Sequence, residues 1–462
     1  MKKTILILIL SLSCVYGGSS SVLMKEKPVP GWNVGVAEAV ITPDFSMWMG
    51  GYASRTHPST GKIHDLWAKA LMFEDSHGNK SLLITTDLEG FPKSISDDIR
   101  DELNNKIGLS RSQIIINSSH SHSGPAIFPE DINILLYNIK KEQQEKINEY
   151  AEWLSDCIVS LAIQAGQSME PATIYSGNGI VRFQVNRRSN KEIELTSCTE
   201  LKGPNDFAVP VLKVENKNGE IKAIIFGYAC HATVLNGYKW CGDYPGFAQI
   251  ELKKKYPGAV VMFFQGTAGD LNPLPRRTIP LAQQYGEELS YAVKCVLNEN
   301  MQKLTPELQT SYSEIRLPYD VIPSKEEFEK LSETLSGYEK RWAEQMLEKI
   351  KKGEKMNSFY PYPISVWRLG GQLMIGLGGE PFVKYDIELK QLLGESIFVL
   401  GYCNDVMSYI LPDSELTKGG YETTAYRCSG LPAPFVPGIE KIILDEVIKL
   451  SEKVGYRQKI KQ

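Results

Sequence analysis

Two histidines separated by one residue, His120 and His122, have the chemistry to hold a metal ion together. They follow the apolar run 114–116, whose β-branched residues favour a buried strand. Side chains two residues apart lie on the same side of a strand, so both rings can enter one cavity. Neutral imidazole is a common ligand of zinc. The pattern predicts either a metal site or an ordinary pair of hydrogen-bonded loop histidines.

A third histidine and a glutamate stand in the same context. His231 follows the apolar run 224–229, and Glu380 follows the apolar run 373–377. In open α/β sheets, ligands bind at the carboxyl ends of the strands. Two or three histidine nitrogens with one carboxylate bind zinc and leave a position open for water. The alternative for Glu380 is a stabilising charge at a helix N-terminus.

Three aspartates accompany these segments and are candidates for orienting the site or moving protons: Asp87, Asp243 and Asp270. The alternative for Asp87 and Asp270 is the capping of turns. Arg182 begins a cluster of polar residues within the strand-like segment 171–215. Arg182 and Asp243 are the predicted substrate contacts.

Apolar strands alternating with amphipathic helices indicate an α/β fold whose functional groups lie on loops at strand ends. A capping box of Ser324 and Glu327 predicts a charged, solvated helical stretch from 324 to about 352. Helices are further predicted at 94–107, 140–165, 247–255, 282–297 and after Pro437.

Composition excludes few classes of protein. The 462 residues are 42% hydrophobic and 23% charged, which is ordinary for a globular protein. A net charge of -4 and the lack of a basic cluster predict no nucleic-acid partner.

The N-terminus has the layout of a secretory signal. Lys2 and Lys3 precede the apolar run 5–10, which is too short to span a bilayer, and a small-residue region follows. We expect residues 1–21 to be a signal peptide and tether, and residues 22–462 to form one catalytic domain. The protein would then be exported, either free or anchored by a lipid on Cys14.

Eight cysteines are present, and none has the Cys-x-x-Cys spacing of a zinc knuckle or a redox motif. If Cys14 is lipidated or removed, seven remain, so at least one thiol is unpaired. Cys230 and Cys241 either bridge a loop or are buried free thiols.

These motifs, in this order, resemble the neutral/alkaline ceramidase family, secreted zinc amidases that cleave the N-acyl bond of ceramide. The resemblance covers most of the chain after the signal segment. The matching segments are 35–42, 49–52, 119–125, 230–231, 243–246, 265–273, 378–380 and 404–422. It implies a mixed-sheet, neutral ceramidase-like catalytic domain and a lipid-like or other small-molecule substrate.

The resemblance also implies roles for individual residues. The zinc ligands would be His120, His231, Glu380 and Tyr409. His122 would lie beside the metal and contact the substrate or assist proton transfer. Tyr421 would stabilise the oxyanion, a role that requires a preorganised hydrogen-bond donor.

The chain departs from the family pattern at two places. Asn272 follows the Gly-Asp motif where family members with established activity have a serine, and an amide side chain is not a nucleophile. The resemblance covers the catalytic domain only, so we expect no counterpart of the C-terminal sandwich-like domain of those enzymes. Zinc lowers the pKa of its bound water to around 7, so we expect zinc-bound water to attack. His122, Asp270 or Asp243 would relay the proton, and Asn272 would orient the substrate or water.

The sequence therefore predicts an exported zinc hydrolase that cuts an amide or an ester. An N-acylated lipid is the substrate that the family suggests, and a glycan- or peptide-linked substrate is the competitor raised by Asn272. The alternative from another class is a catalytically silent, metal-containing binding protein. A deep apolar cavity would favour a lipid, and a shallow polar one a sugar.

Overall fold

The computed structural model describes residues 31–457, in which the two largest β-sheets pack face to face and helices cover both outer faces. The predicted signal segment 1–21 and Cys14 lie outside the described residues. Within 31–457, no helix has the length and apolar character that a bilayer crossing requires. The seven cysteines of this part are all free thiols, and Cys230 and Cys241 are both buried.

The strands are, in chain order, β1 (Trp32–Val40), β2 (Gly61–Lys62), β3 (Trp67–Glu74), β4 (Lys80–Thr86), β5 (Ile114–Ser118), β6 (Glu170–Ile180), β7 (Gln184–Asn186), β8 (Ala208–Asn216), β9 (Ile221–Tyr228), β10 (Lys239–Trp240), β11 (Val260–Gln265), β12 (Leu271–Pro273), β13 (Gln302–Lys303), β14 (Leu308–Pro318), β15 (Phe359–Leu369), β16 (Gln372–Leu377), β17 (Glu380–Pro381), β18 (Phe398–Leu400) and β19 (Tyr409–Ile410).

The α-helices are α1 (Lys93–Ile107), α2 (Glu130–Tyr137), α3 (Lys141–Gln167), α4 (Asp243–Lys255), α5 (Ile279–Leu297), α6 (Lys325–Thr334), α7 (Gly337–Lys351), α8 (Val383–Leu393), α9 (Asp413–Leu416), α10 (Tyr421–Thr424) and α11 (Ile439–Lys453).

The larger sheet is mixed, which agrees with the predicted fold class. Its strand order is β11-β9-β8-β6-β1-β3-β4-β5, with β13 also paired to β6. The pairs β9/β11 and β4/β5 are parallel, and the pairs between them are antiparallel. The smaller sheet has the order β14-β15-β16-β18.

The alternation of side chains along the strands explains the layers. In β5, Ile115 packs between the two sheets, whereas Ile114 and Ile116 pack against the helical layer of α1 and α3. Trp367 and Met374 of the smaller sheet complete the core between the sheets. Helices α8 and α11 cover the other face of that sheet.

The predicted charged helical stretch is helical, but it is not continuous. The charged stretch 324–352 forms two helices, α6 and α7, which are separated at residues 335–336. Gly337 adopts a φ of 58°, a left-handed conformation that interrupts a right-handed helix. The predicted capping box of Ser324 and Glu327 is present at the start of α6.

The edge strands of the larger sheet, β5 and β11, come together near their carboxyl ends. There the side-chain amide of Asn117 accepts a hydrogen bond from the backbone N–H of Gln265 (2.9 Å) and donates one to the carbonyl of Gly401 (2.7 Å). Because Gly401 directly follows β18, this amide links the larger sheet to the smaller one. The loops that leave these strands therefore meet in one place.

Candidate metal centre

Three side chains from distant parts of the sequence converge at this edge. The Glu380 carboxylate oxygen Oε2 lies 3.2 Å from Nε2 of His120 and 3.2 Å from Nε2 of His231. Both histidines are buried. With His122, they form a cluster whose ligand nitrogens all lie within 4.8 Å of one another.

Each of the two histidines that face Glu380 is held by its second ring nitrogen. Nδ1 of His120 donates to the carbonyl of Glu89 (2.6 Å), and Nδ1 of His231 donates to the carbonyl of Ala268 (2.6 Å). These bonds place the ring proton on Nδ1, so each neutral ring presents the lone pair of Nε2. His120 itself has a φ of 58°, a costly backbone conformation for a residue other than glycine.

The donor set fits a cation on physical grounds. Two nitrogen lone pairs and a carboxylate oxygen repel one another at 3.2 Å unless a positive charge lies between them. Nε2 of His231 is buried and makes no hydrogen bond. Ligand atoms at 2.0–2.1 Å from a tetrahedral zinc lie about 3.3 Å apart, which is close to the spacing found here.

The charges of the site act on one another. Burial alone would raise the pKa of the Glu380 carboxyl, but His120 and His231 outweigh it and hold that pKa well below its usual range. Burial, followed by the nearby charge of Arg187, lowers the pKa of His231 to about 4. Burial also opposes the charged form of His120, yet Glu380 raises the net pKa of that ring. The carboxylate is therefore ionised.

His122 lies against the same group of atoms. Its Nε2 is 3.0 Å from Nε2 of His120, and its buried Nδ1 makes no hydrogen bond. Gly51 leaves room for the ring, because a Cβ atom there would lie 2.4 Å from Cγ of His122. Distance alone makes His122 eligible as a ligand, whereas the resemblance assigns it to the substrate.

Tyr409 enters the site through a short parallel ladder. Strand β17 pairs with β19 so that Glu380 stands opposite Tyr409. The Tyr409 ring stacks on His231 with the ring centroids 6.4 Å apart, and the guanidinium carbon of Arg187 lies 5.4 Å from the Tyr409 centroid. Burial, followed by the charge of Glu380, raises the pKa of the Tyr409 hydroxyl well above its ordinary value. A single residue at the start of a two-residue strand gives no periodic signal in the sequence.

Two cavities meet at this cluster. The first, which we name the polar chamber, has a volume of about 760 Å³ and is lined by His122, His231, Asn272 and several arginines. The second has about 310 Å³ and is lined by His120, Glu380 and further polar side chains, among them Glu89 and Asp405. We name it the apolar chamber after the apolar side chains that complete its lining: Phe128, Ile132, Leu136, Val406, Met407 and Leu431. Five residues line both chambers: Gly51, Ala53, His122, Tyr409 and Tyr421.

Asn272 and Tyr421, the predicted catalytic groups beside the ligands, both face the polar chamber. The Oδ1 atom of Asn272 accepts a hydrogen bond from Arg187 (3.4 Å). The Tyr421 side chain is 54% exposed, and its ring lies 5.9 Å from that of Tyr409. The predicted oxyanion donor is thus next to a predicted metal ligand.

The predicted roles of Asp270 and Asp243 in proton transfer and of Asp243 in substrate binding do not fit their positions. Asp270 accepts hydrogen bonds from the N–H of Val383 (2.9 Å) and from Asn186 (2.7 Å), and it lines neither chamber. Asp243 accepts three backbone N–H bonds, including that of Leu235 (2.9 Å), and is also buried away from both chambers. Their carboxylates fix the loops that carry the site.

Asp87 is likewise engaged elsewhere. Its carboxylate accepts a hydrogen bond from the N–H of Trp67 (2.9 Å) and another from Gln249 (3.2 Å). It lines a separate cavity that also contains His64 and Lys69. The capping alternative describes its position better than proton transfer.

Arg182 does not reach the site. Its guanidinium lies 4.5 Å from the centroid of Phe207, and it lines neither chamber. The next arginines of the same segment, Arg187 and Arg188, line the polar chamber instead, where both pair with Glu422. The sequence showed this cluster, but it did not show which of its arginines faces inward.

The family model for neutral/alkaline non-lysosomal ceramidases, N-terminal region, matches residues 32–295. The chain belongs to this family. The predicted family is therefore confirmed, and with it a family of hydrolases. His120, His122 and His231 lie within the matched region, whereas Glu380 and Tyr409 lie beyond it.

Two relatives similar to part of this chain are neutral ceramidases. Neutral ceramidase B of Dictyostelium discoideum is 26% identical over 245 residues, which cover 49% of this chain and 33% of that protein. Neutral ceramidase A of the same organism is 26% identical over 238 residues, which cover 47% and 32%. The matched parts therefore span about a third of the length of these relatives.

The fold is that of neutral ceramidase. The crystal structure of neutral ceramidase from Pseudomonas aeruginosa superposes with a TM-score of 0.71 and 19% identity, over 92% of this chain and 75% of that one. A structure titled as ceramidase complexed with C2 superposes with a TM-score of 0.71 and 17% identity, over 93% and 76%. At these identities the likeness concerns the fold alone.

Proposed function

We propose that this protein is a zinc-dependent hydrolase that cleaves an amide (N-acyl) or ester bond. The observation that carries the proposal is the position of Glu380 Oε2, 3.2 Å from Nε2 of both His120 and His231, between a polar and an apolar chamber. His120, His231, Glu380 and Tyr409 would hold the metal. When bound, zinc polarises a carbonyl oxygen and lowers the pKa of water to about 7.

The side chains around the ligands supply the remaining functions. Tyr421 lines both chambers, and in this proposal its hydroxyl donates a hydrogen bond to the oxygen of the scissile carbonyl. Burial, followed by the charges of His120 and His231, lowers the pKa of His122, so its ring is neutral, and its free Nδ1 can form a hydrogen bond with the substrate.

Asn272 excludes a side-chain nucleophile at its own position. Its amide replaces the serine of the family pattern and lines the polar chamber, so no side-chain hydroxyl is available at that position. The nucleophile in our proposal is water, which Asn272 orients together with the substrate through its hydrogen-bonding groups.

The two chambers suggest how the substrate lies. The apolar chamber would hold the acyl group and the polar chamber the other fragment, with the scissile carbonyl at the residues that the chambers share. The relatives are named neutral ceramidases, which makes an N-acylated lipid the first substrate to test. We also propose export directed by residues 1–21, with Cys14 as an optional lipid anchor.

The test is metal-dependent turnover. Purified protein is assayed with fluorogenic N-acyl sphingosine and with a panel of acyl esters and glycosides, before and after chelation and after the return of zinc. We expect hydrolysis of an amide or ester that is lost with the chelator and restored by zinc. Zinc binding without turnover of any substrate would instead identify a silent binding protein, and turnover that survives complete chelation would reject the metal.

A further inference from the structure

The polar chamber concentrates positive charge in a chain that is acidic overall. Six cationic side chains line it against three carboxylates, whereas the chain has a net charge of -4. The cationic residues are Arg187, Arg188, Lys191, Arg276, Arg277 and Lys418.

Most of these cations already have a carboxylate partner. Arg187 and Arg188 contact Glu422 at 2.9 and 2.6 Å, and Arg276 contacts Glu192 at 2.5 Å. Lys418 contacts Glu415 at 2.7 Å, and Lys191 contacts Glu194 at 3.0 Å. Within residues 31–457, Arg277 makes no ion pair with a carboxylate. An anion that enters the chamber can bind Arg277 without breaking an existing pair.

Arg277 is held in place although it is exposed. Its backbone N–H donates to the carbonyl of Val234 (2.7 Å), and its φ of 96° is a strained conformation for an arginine. Its Nη1 lies 3.3 Å from the Tyr52 hydroxyl, and the Tyr52 ring meets His122 edge-on with the centroids 4.8 Å apart. Tyr52 therefore positions the guanidinium relative to the candidate metal centre.

We propose that Arg277 binds an anionic group on the polar fragment of the substrate, so that the substrate is an acidic acyl compound. The proposal rests on the proposed function, because the acyl bond must lie at the candidate metal centre. A guanidinium binds carboxylate or phosphate oxygens through paired N–H donors. A neutral polar fragment would leave this guanidinium without a charged partner.

The experiment compares substrates that differ only in charge. N-octanoyl ω-amino acids with two-, four- and six-carbon spacers are paired with their carboxamides, and N-octanoyl phosphoethanolamine is paired with N-octanoyl ethanolamine. At low salt we expect the best acid of either kind to exceed its neutral partner about tenfold in kcat/KM, mainly through KM. The carboxylate and phosphate arms identify which anion is preferred.

Variants assign the preference to one residue. Arg277→Gln should remove it, and Arg277→Gly should remove it without lowering the unfolding temperature, because glycine relieves the strained φ. Arg316→Gln is the matched control, since Arg316 is also exposed, stacks on an aromatic ring (Phe359, 4.6 Å) and makes no ion pair in the part of the chain that the structure describes. Arg316→Gln should keep the full preference.

The outcomes separate this proposal from the proposed function. Equal turnover of acid and neutral partner, or a preference that survives Arg277→Gln, would overturn the role of Arg277 and leave the hydrolase intact. If no substrate is turned over, calorimetry measures the affinity of zinc-free protein for each acid and for its neutral partner. Tighter binding of the acid that Arg277→Gln removes supports the anion site, and equal binding rejects it.

Discussion

At the scale of single residues, the site depends on which polar atoms have no hydrogen-bond partner within the protein. The Nδ1 atoms of His120 and His231 are bound by backbone carbonyls, while their Nε2 atoms converge on Glu380. By contrast, the carboxylate oxygens of Asp243 and Asp270 accept hydrogen bonds from nearby N–H groups of the protein. This difference in partners separates candidate ligands from structural carboxylates, although all five residues follow a similar sequence pattern.

Asn272→Ser tests the position where the chain departs from its family. A serine hydroxyl beside Tyr421 and the candidate metal centre could be activated as a nucleophile, so we expect the relative kcat/KM values for amides and esters to change. The substrate panel described above is the measurement. An unchanged profile, with zinc bound, would show that this position does not face the reacting bond.

Asp405 should make stability depend on pH. Burial raises its pKa to about 7, although the carboxylate accepts a hydrogen bond from the Tyr360 hydroxyl (2.7 Å). Because the pKa of the folded state lies above that of the unfolded state, the stabilising contribution is full below about pH 4 and is lost as pH rises through 7. Relative to Asp405→Asn, the wild-type protein should lose roughly 2 to 3 kcal/mol of unfolding free energy between pH 5 and pH 8.

Urea unfolding at the two pH values measures this loss. Asp98→Asn, at an exposed position of α1, controls for the removal of a carboxylate from the surface. A constant difference between wild type and Asp405→Asn at both pH values would contradict the assignment.

At the scale of elements, close contacts between strands and helices set the positions of the loops. Strand β1 lies so near α3 that a Cβ atom on Gly35 would be 1.8 Å from the carbonyl oxygen of Ala165. Segment 35–42, which carries part of the family resemblance, therefore begins with a glycine that allows the strand and the helix to pack closely. Gly35 itself has no side chain that could take part in a reaction.

Gly35→Ala should destabilise the protein by about 1 to 3 kcal/mol, because the backbones of β1 and α3 must move apart. The midpoint of urea unfolding measures the change. Gly258→Ala is the matched control, since nothing lies within 4 Å of a Cβ atom there and its φ is not left-handed. Equal midpoints for the two variants would show that the sheet and helix can separate without cost.

At the scale of the whole molecule, the ligands join parts of the chain that are far apart. His120 and His231 extend from the larger sheet, and Glu380 follows β16 of the smaller sheet. Bound zinc should therefore stabilise the folded chain as a unit, by about 2.7 kcal/mol at a free concentration 100 times its Kd. Thermal unfolding with zinc and with a chelator measures the effect.

His231→Ala should abolish the response of the unfolding temperature to zinc, whereas the exposed His57→Ala should preserve it. A response that persists in His231→Ala would place the stabilising zinc elsewhere. If His231→Ala loses both the zinc response and turnover, the same metal centre is responsible for stabilisation and for catalysis.

The sequence predicted the parts of this architecture that follow from pattern. Strands such as β5 and helices such as α3 have a clear period, and His120, His231 and Glu380 stand directly after apolar runs. It could not distinguish Arg182 from Arg187, because the two arginines flank the short strand β7 and the pattern does not show which side chain faces the chamber. Spacing alone also could not show Tyr409, which only the family resemblance named, because its position depends on the register between β17 and β19.

The two chambers share only a narrow set of residues, among them His122 and Tyr421, and this has a consequence for how the protein can change. Leu431 lines only the apolar chamber, and Arg277 lines only the polar one. Changes to separate sites with no shared partners are additive in free energy. Substitutions in one chamber can therefore change the specificity for one half of the substrate without changing the specificity for the other half. New combinations of acyl group and polar fragment can then be accepted while the residues at the reacting bond stay the same.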